Sequence, residues 1–202
     1  MKKTIIAGIM TAMLAAGSAF AEQAYQKDIQ LFDQKEIAIT GSVIANGTVT
    51  TINQAAEELG ALKEVRYFWE ERNQQKTKAL LTHAFYDNGE LWMRGMVQPE
   101  QAAAVERLIT KRTDIATAKG LRVGDDFSKI MELYGEPQYV HWNSLCKDDC
   151  DEVDRWLIYF CQEPYEKFTP KAERPAVTKL LIGIKGTKVT RLGYSGMWRL
   201  GL

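Results

Sequence analysis

Thr77-Lys78-Ala79-Leu80-Leu81-Thr82-His83-Ala84-Phe85-Tyr86-Asp87-Asn88-Gly89-Glu90-Leu91-Trp92-Met93-Arg94-Gly95-Met96-Val97 decides the fold. Two strand-like segments, Thr77 to Tyr86 and Glu90 to Val97, flank Asp87-Asn88-Gly89, whose residues tolerate the positive φ that a hairpin turn requires. On the N-terminal side, Lys63 to Glu70 places Val65, Tyr67 and Trp69 at alternate positions, which predicts a third strand of one antiparallel meander. A sheet with an apolar face needs a layer to cover it, so the class depends on what flanks the meander.

Upstream, Ile37, Ile39 and Val43 suggest a first strand, ended by the turn pair Asn46-Gly47. Thr51-Ile52-Asn53-Gln54 has the spacing of a capping box. Ile52, Ala55, Ala56 and Leu59 follow on one helical face before Gly60 stops it, which predicts a helix over about 51–59. Downstream, Gln98-Pro99-Glu100 reads as the start of a second helix running to about Lys111, with Ala102, Val105, Leu108 and Ile109 as its buried stripe.

The same syntax then returns. Asp125 is placed to cap a helix with Phe127, Ile130, Met131 and Tyr134 on one face and Gly135 at its end. A strand with Tyr139 and Trp142 follows, then an irregular cysteine-bearing segment. After it come a strand from Asp154 to Cys161, a loop with Pro164, Pro170 and Pro175, and the hairpin Val177–Ile184, Lys185-Gly186, Thr187–Tyr194. Leu59-Gly60 and Tyr134-Gly135 are matching helix ends 75 residues apart. The expectation is an α+β fold of two related helix-plus-antiparallel-meander units, residues 36–112 and 113–202, with helices packed on one face of the sheet and a flexible leader over 22–35.

The first twenty-one residues set the compartment. Lys2 and Lys3 precede an apolar run from Ile5 to Leu14 and the small-residue ending Ser18-Ala19-Phe20-Ala21, the pattern of a signal peptide cleaved near Ala21. The apolar run is about half the ~20 residues that span a bilayer, and no cysteine opens the mature chain for lipid attachment. A soluble protein, periplasmic or secreted, without a stable membrane anchor is expected. Removing residues 1–21 takes away two lysines and no acid, leaving 24 basic against 26 acidic side chains. That balance excludes nucleic acid as the expected partner, since its phosphates need a basic patch or stripe.

Gly120-Leu121-Arg122-Val123-Gly124-Asp125-Asp126-Phe127-Ser128-Lys129-Ile130-Met131-Glu132-Leu133-Tyr134-Gly135-Glu136-Pro137 resembles a motif of small exported bacterial domains of the SmpA/OmlA and beta-lactamase-inhibitor-protein-like group. The resemblance implies helix-plus-meander units, sometimes in tandem, that bind other proteins or support envelope assembly. Each motif residue also has a structural reason to be there, so it marks a fold unit before it marks a function. The chain departs from the assembly lipoproteins of that group in lacking a lipid-acceptor cysteine at its mature start.

Chemistry concentrates in His141-Trp142-Asn143-Ser144-Leu145-Cys146-Lys147-Asp148-Asp149-Cys150-Asp151-Glu152-Val153-Asp154, with Cys161 beyond it. In an exported chain, three cysteines predict one disulfide among Cys146, Cys150 and Cys161, with three pairings open. His141, Cys146, Cys150 and Cys161 also supply the donor types of a Cys3His zinc site, without the paired short gaps usual there. A redox thiol is the remaining reading, opposed by the acids Asp148, Asp149, Asp151, Glu152 and Asp154, which raise a thiol pKa. Those acids lack the spacing of a calcium loop.

Of five tryptophans, Trp156 shares a strand face with Ile158 and Phe160 and reads as core, while Trp198 beside Arg199 is the candidate for an exposed binding anchor, with Asp148 and Asp149 in the irregular loop. His83 reads as a packed or surface strand residue. There is no Gly-x-Ser-x-Gly elbow, no His-Glu-x-x-His and no phosphate loop, and two histidines leave few general bases. The sequence therefore points to a non-catalytic exported protein that binds an envelope or extracellular protein, needing no cofactor. The alternative is a metal (zinc) or thiol-redox protein built on the cysteine cluster.

Overall fold

The computed structural model describes residues 31–72, 75–142, 152–161 and 179–196, with the backbone alone at 69–72 and 75–80. In chain order its elements are β1 (Ile39–Thr40), β2 (Val49–Thr50), α1 (Ile52–Leu59), β3 (Leu62–Arg72), β4 (Gln75–Tyr86), β5 (Gly89–Arg94), β6 (Ala103–Thr110), β7 (Ala116–Thr117), α2 (Phe127–Tyr134), β8 (Tyr139–Trp142), β9 (Arg155–Phe160), β10 (Lys179–Lys185) and β11 (Lys188–Ser195). The stretch read as a signal peptide and most of the expected leader lie outside the described residues.

The α+β expectation is overturned. The fold is dominated by antiparallel sheet, and its only helices among the described residues are α1 and α2, eight residues each. Each rises about 12 Å, too little to form a layer over a nine-stranded sheet. The helix expected from Gln98 to Lys111 does not exist: residues 98–102 form a turn in which the Gln101 amide donates to the Gln98 carbonyl at 2.9 Å, and Ala103–Thr110 is a strand.

The misleading signal has a geometric origin. Leu91 and Met93 of β5, two residues apart, face Leu108 and Val105 of β6, three apart, because a bulge shifts the register between Trp92 and Met93. One inserted residue gives Val105 and Leu108 the i, i+3 spacing of a helix while both keep to one face of a strand.

α1 forms as its capping box predicts. The Gln54 amide donates to Thr51 Oγ1 at 3.0 Å, the Thr51 amide donates to Gln54 Oε1 at 3.2 Å, and Gly60 ends the helix at φ +85°. In α2 the N-cap is Asp126 rather than Asp125, and its side chain makes no capping hydrogen bond. Asp125 instead ties the preceding turn to the helix, accepting from the Arg122 amide at 2.7 Å and from Lys129 Nζ at 2.8 Å.

β1 and β7 form a small two-stranded pair. The large sheet runs β3-β4-β5-β6-β11-β10-β9-β8, with β2 also on β6. Thus each helix precedes a run of four sheet strands, and the runs join through their last members, with Arg107 to Thr110 opposite Ser195 to Leu192.

One face carries the larger core, in which Ile52, Ala55, Leu59, Ile130 and Tyr134 of the helices meet Leu91, Leu108, Leu157, Leu180, Ile182 and Tyr194 of the strands. Buried tyrosines bind the layers: Tyr86 Oη donates to the Ile52 carbonyl at 2.7 Å, and Tyr159 Oη to the Gly135 carbonyl at 2.9 Å. The opposite, outer face carries a smaller cluster of Ile109, Val153, Trp156, Ile158, Phe160 and Leu181.

Candidate docking face on the outer side of the sheet

Strand alternation fixes which side chains reach the outer face. On β3 these are Glu64, Arg66 and Phe68, because Val65 packs on the larger core; on β4 they are His83 and Phe85, because Ala84 and Tyr86 are in it; on β5 they are Glu90 and Trp92, flanking core Leu91. The backbone register then aligns Arg66, His83, Trp92, Arg107, Ser195, Lys179 and Phe160 as successive cross-strand partners, one line over seven strands.

Toward the β3 edge the line is aromatic. The His83 ring stacks on Trp92 at 3.8 Å and tilts against Phe85 at 3.8 Å, while Phe68 stacks on Trp92 at 5.2 Å. Phe68 is 44% exposed and Trp92 half-buried, so the stack has an open side. Arg66 lies 4.6 Å over the Phe85 ring and is gripped by Glu64 through two hydrogen bonds of 2.7 Å. On β5, two residues beyond Trp92, Arg94 pairs with Glu106 at 2.8 Å. His83 Nε2 contacts Glu90 Oε2 at 2.6 Å. The buried Trp92 indole N–H has no acceptor among the described residues, and an orphan donor costs about 1–3 kcal/mol.

At the centre the line is cationic and buried. Arg107 is 2% exposed and lies 5.3 Å over the Trp92 ring. Burial pulls its guanidinium down to about 10, partly opposed by Glu90. Lys179 is 3% exposed, and burial, then the neighbouring Arg107 charge, pull its ammonium down to about 7.

The residues singled out by sequence fare differently. Cys146, Cys150, Asp148, Asp149, Trp198 and Arg199 lie outside the described residues. His141 sits on β8 opposite Trp156, whereas Cys161 follows β9 five residues beyond Trp156. At about 3.3 Å per residue that register leaves roughly 16 Å between them, so these two are not brought to one site. Burial pushes the Cys161 thiol up to about 11, far from the depressed value of a reactive cysteine. Among the described residues, no three His, Cys, Asp or Glu side chains gather as a metal site.

Trp156 is buried with Ile158 and Phe160, on the face their alternation predicts. Trp142 is 57% exposed on edge strand β8, where the Arg155 guanidinium sits 5.4 Å from its ring and 5.3 Å from that of Phe127. Phe68, Trp92, Arg107 and Lys179 were not singled out by sequence. Laying the three meander strands in hairpin register would have put Arg66, His83 and Trp92 side by side. Joining them to Lys179 required the β6–β11 pairing, which no local pattern encodes.

Set against known proteins, the chain matches no family model, no curated sequence and no solved structure, so the resemblance of residues 120–137 to small exported bacterial domains rests on those residues alone.

Proposed function

We propose that the chain is an exported, non-catalytic binding protein that docks another envelope or extracellular protein on the outer face of its sheet. The observation that carries this reading is the Phe68–Trp92–His83 stack, open on one side and rimmed by the ion pairs Arg66–Glu64 and Arg94–Glu106. Large aromatic and arginine anchors inside a polar rim are the composition of interface hot spots. A surface meant only for water gains nothing from exposing a phenylalanine beside a tryptophan. The signal-like N-terminus supports placement outside the cytoplasm, and the near-neutral charge balance supports a protein partner over nucleic acid.

The test is crosslinked affinity capture from an envelope extract of the source organism with wild-type chain, Phe68→Asp, Trp92→Phe and the remote control Glu132→Gln. One stoichiometric protein is expected with wild type and control, and loss of roughly tenfold or more with Phe68→Asp. Trp92→Phe removes the orphan donor while keeping most of the apolar area, so it should weaken capture with melting temperature unchanged or raised. Capture that is indifferent to Phe68→Asp, or a blank with wild type, would sink the reading.

A further inference from the structure

β3 ends the large sheet, and among the described residues its only ladder partner is β4. The strand at the opposite end, β8, is four residues long, whereas β3 has eleven. A long edge strand holds a row of unpaired N–H and C=O groups that another strand can complete. Register shifts break the β3–β4 ladder between Leu62 and Glu64 and again between Phe68 and Trp69, so the edge is regular over Glu64-Val65-Arg66-Tyr67-Phe68. Apolar surface is left partly uncovered on both sides of this stretch. Val65 and Tyr67 on the inner face are only half-buried, although Val65 packs on the larger core, and Phe68 on the outer face is 44% exposed.

These five residues are complementary to themselves. A second copy turned about a two-fold axis perpendicular to the sheet runs antiparallel and keeps each side chain on its own face. With the axis at Arg66, every residue of the stretch finds a partner. On the inner face Val65 meets the partner's Tyr67 and Tyr67 meets the partner's Val65, and such pairs of β-branched and aromatic side chains stabilise a ladder. On the outer face Glu64 lies opposite the partner's Phe68 and diagonal to the partner's Arg66. Each copy brings a Glu64–Arg66 ion pair whose side chains are 48% and 42% exposed. Two guanidiniums directly opposite would repel, but here a carboxylate flanks them from each strand and the four charges sum to zero. Pairing uses up both long edges and leaves the short β8 at either end, so the assembly closes as a dimer instead of growing.

We propose that β3 is a dimerisation edge, to which a second copy of this chain adds through residues 64–68. This goes beyond docking of another protein, and it joins two outer faces into one, with a Phe68–Trp92 stack on either side of the axis. Five residues a side make a small interface, so a dissociation constant on the order of 100 µM is expected.

The experiment is sedimentation equilibrium of the chain, purified as its source organism processes it, from about 10 µM to about 1 mM. Wild type should follow a monomer–dimer equilibrium. Arg66→Glu sets four carboxylates around the axis and Glu64→Arg sets four guanidiniums there, so each alone should weaken dimerisation roughly tenfold or more. An equimolar mixture of the two variants places the carboxylates of one chain against the guanidiniums of the other and should dimerise at least as tightly as wild type. Both positions are exposed, so melting temperatures should change by no more than about 3 °C. Trp92→Phe, two strands in from the edge, should leave the dimer intact while weakening capture of the envelope protein, which separates this proposal from the docking reading. The proposal is overturned by a wild type still monomeric at about 1 mM, by folded single variants that dimerise like wild type, by a mixture that stays monomeric, or by a dimer lost with Trp92→Phe.

Discussion

Lys179 and Arg107 flank Ser195 in the middle of the sheet, two cations in the least hydrated part of the outer face. Lys179 titrates near 10.5 unfolded and about 7 folded. Well above pH 10.5 the amine is neutral in both states and contributes nothing. Between about 10.5 and 7 the unfolded chain holds a proton that the folded chain has released, so stability falls as pH falls; below 7 both states are charged and the full penalty persists. Lys179→Met should therefore raise stability by an amount on the order of 2–4 kcal/mol near pH 6, with the gain fading toward pH 10. Urea unfolding of both proteins at several pH values checks it, and a gain independent of pH would rule out desolvation of the ammonium as the cause. Tyr194 shows the opposite kind of buried polar group: it accepts from the Gly47 amide at 3.0 Å and donates to the Val105 carbonyl at 3.0 Å. Tyr194→Phe leaves both backbone groups short of a partner, and a loss of about 1–3 kcal/mol is expected in the same assay.

Gly60 shows how an element is closed by residues far along the chain. It adopts φ +85°, and a Cβ there would meet Asp87 Cβ at 3.0 Å, where the Asp87 carboxylate accepts from the Ala61 amide at 3.1 Å and the Asn88 amide donates to the Leu59 carbonyl at 2.8 Å. The end of α1 and the β4–β5 turn are thus one joint, and Gly60→Ala should cost about 1–3 kcal/mol by thermal unfolding. Thr51→Ala, at the other end of the same helix, should cost about 1 kcal/mol by the same measurement. Both ends of α1 and the two hairpins were legible because capping residues, turn residues and alternation act over a few positions. β6 was not, because its bulge is set by pairing with β5 and counterfeits helical spacing. The cap of α2 was misplaced by one residue because Asp125 and Asp126 are equally suited by type; only the turn that Asp125 closes with Arg122 tells them apart. Most of the residues singled out in the cysteine-bearing loop and the C-terminal tail lie outside the described structure. The proposed docking face went unnoticed because its residues come from β3, β4, β5, β6 and β10, each ordinary within its own strand.

The two runs of strands meet at one seam. Among the described residues the strands that follow α1 and those that follow α2 are hydrogen-bonded into one sheet through β6 and β11, and both cores span that seam: Leu108 packs with Leu180 and Tyr194 on one face, and Ile109 with Trp156, Ile158 and Leu181 on the other. The paired residues are far apart in sequence, as in Leu108 with Tyr194, so the seam forms only after a large loop closes. Gly193 lies on it, where an added Cβ would approach the Leu108 carbonyl oxygen to 2.5 Å and force the backbones apart. If the seam makes the two halves one cooperative unit, wild-type unfolding followed by far-UV circular dichroism and by tryptophan fluorescence should give coincident transitions. Gly193→Ala should then lower stability by about 1–3 kcal/mol, and any separation of the two transitions in this variant would mark the seam as the point of coupling. The equivalent change at exposed Gly120, where nothing lies within 4 Å but φ is +83°, strains the backbone without touching the seam. Gly120→Ala should lower stability while the two signals stay superimposed. If both glycine variants broadened or split the transition alike, cooperativity would have to reside elsewhere than in the β6–β11 pairing.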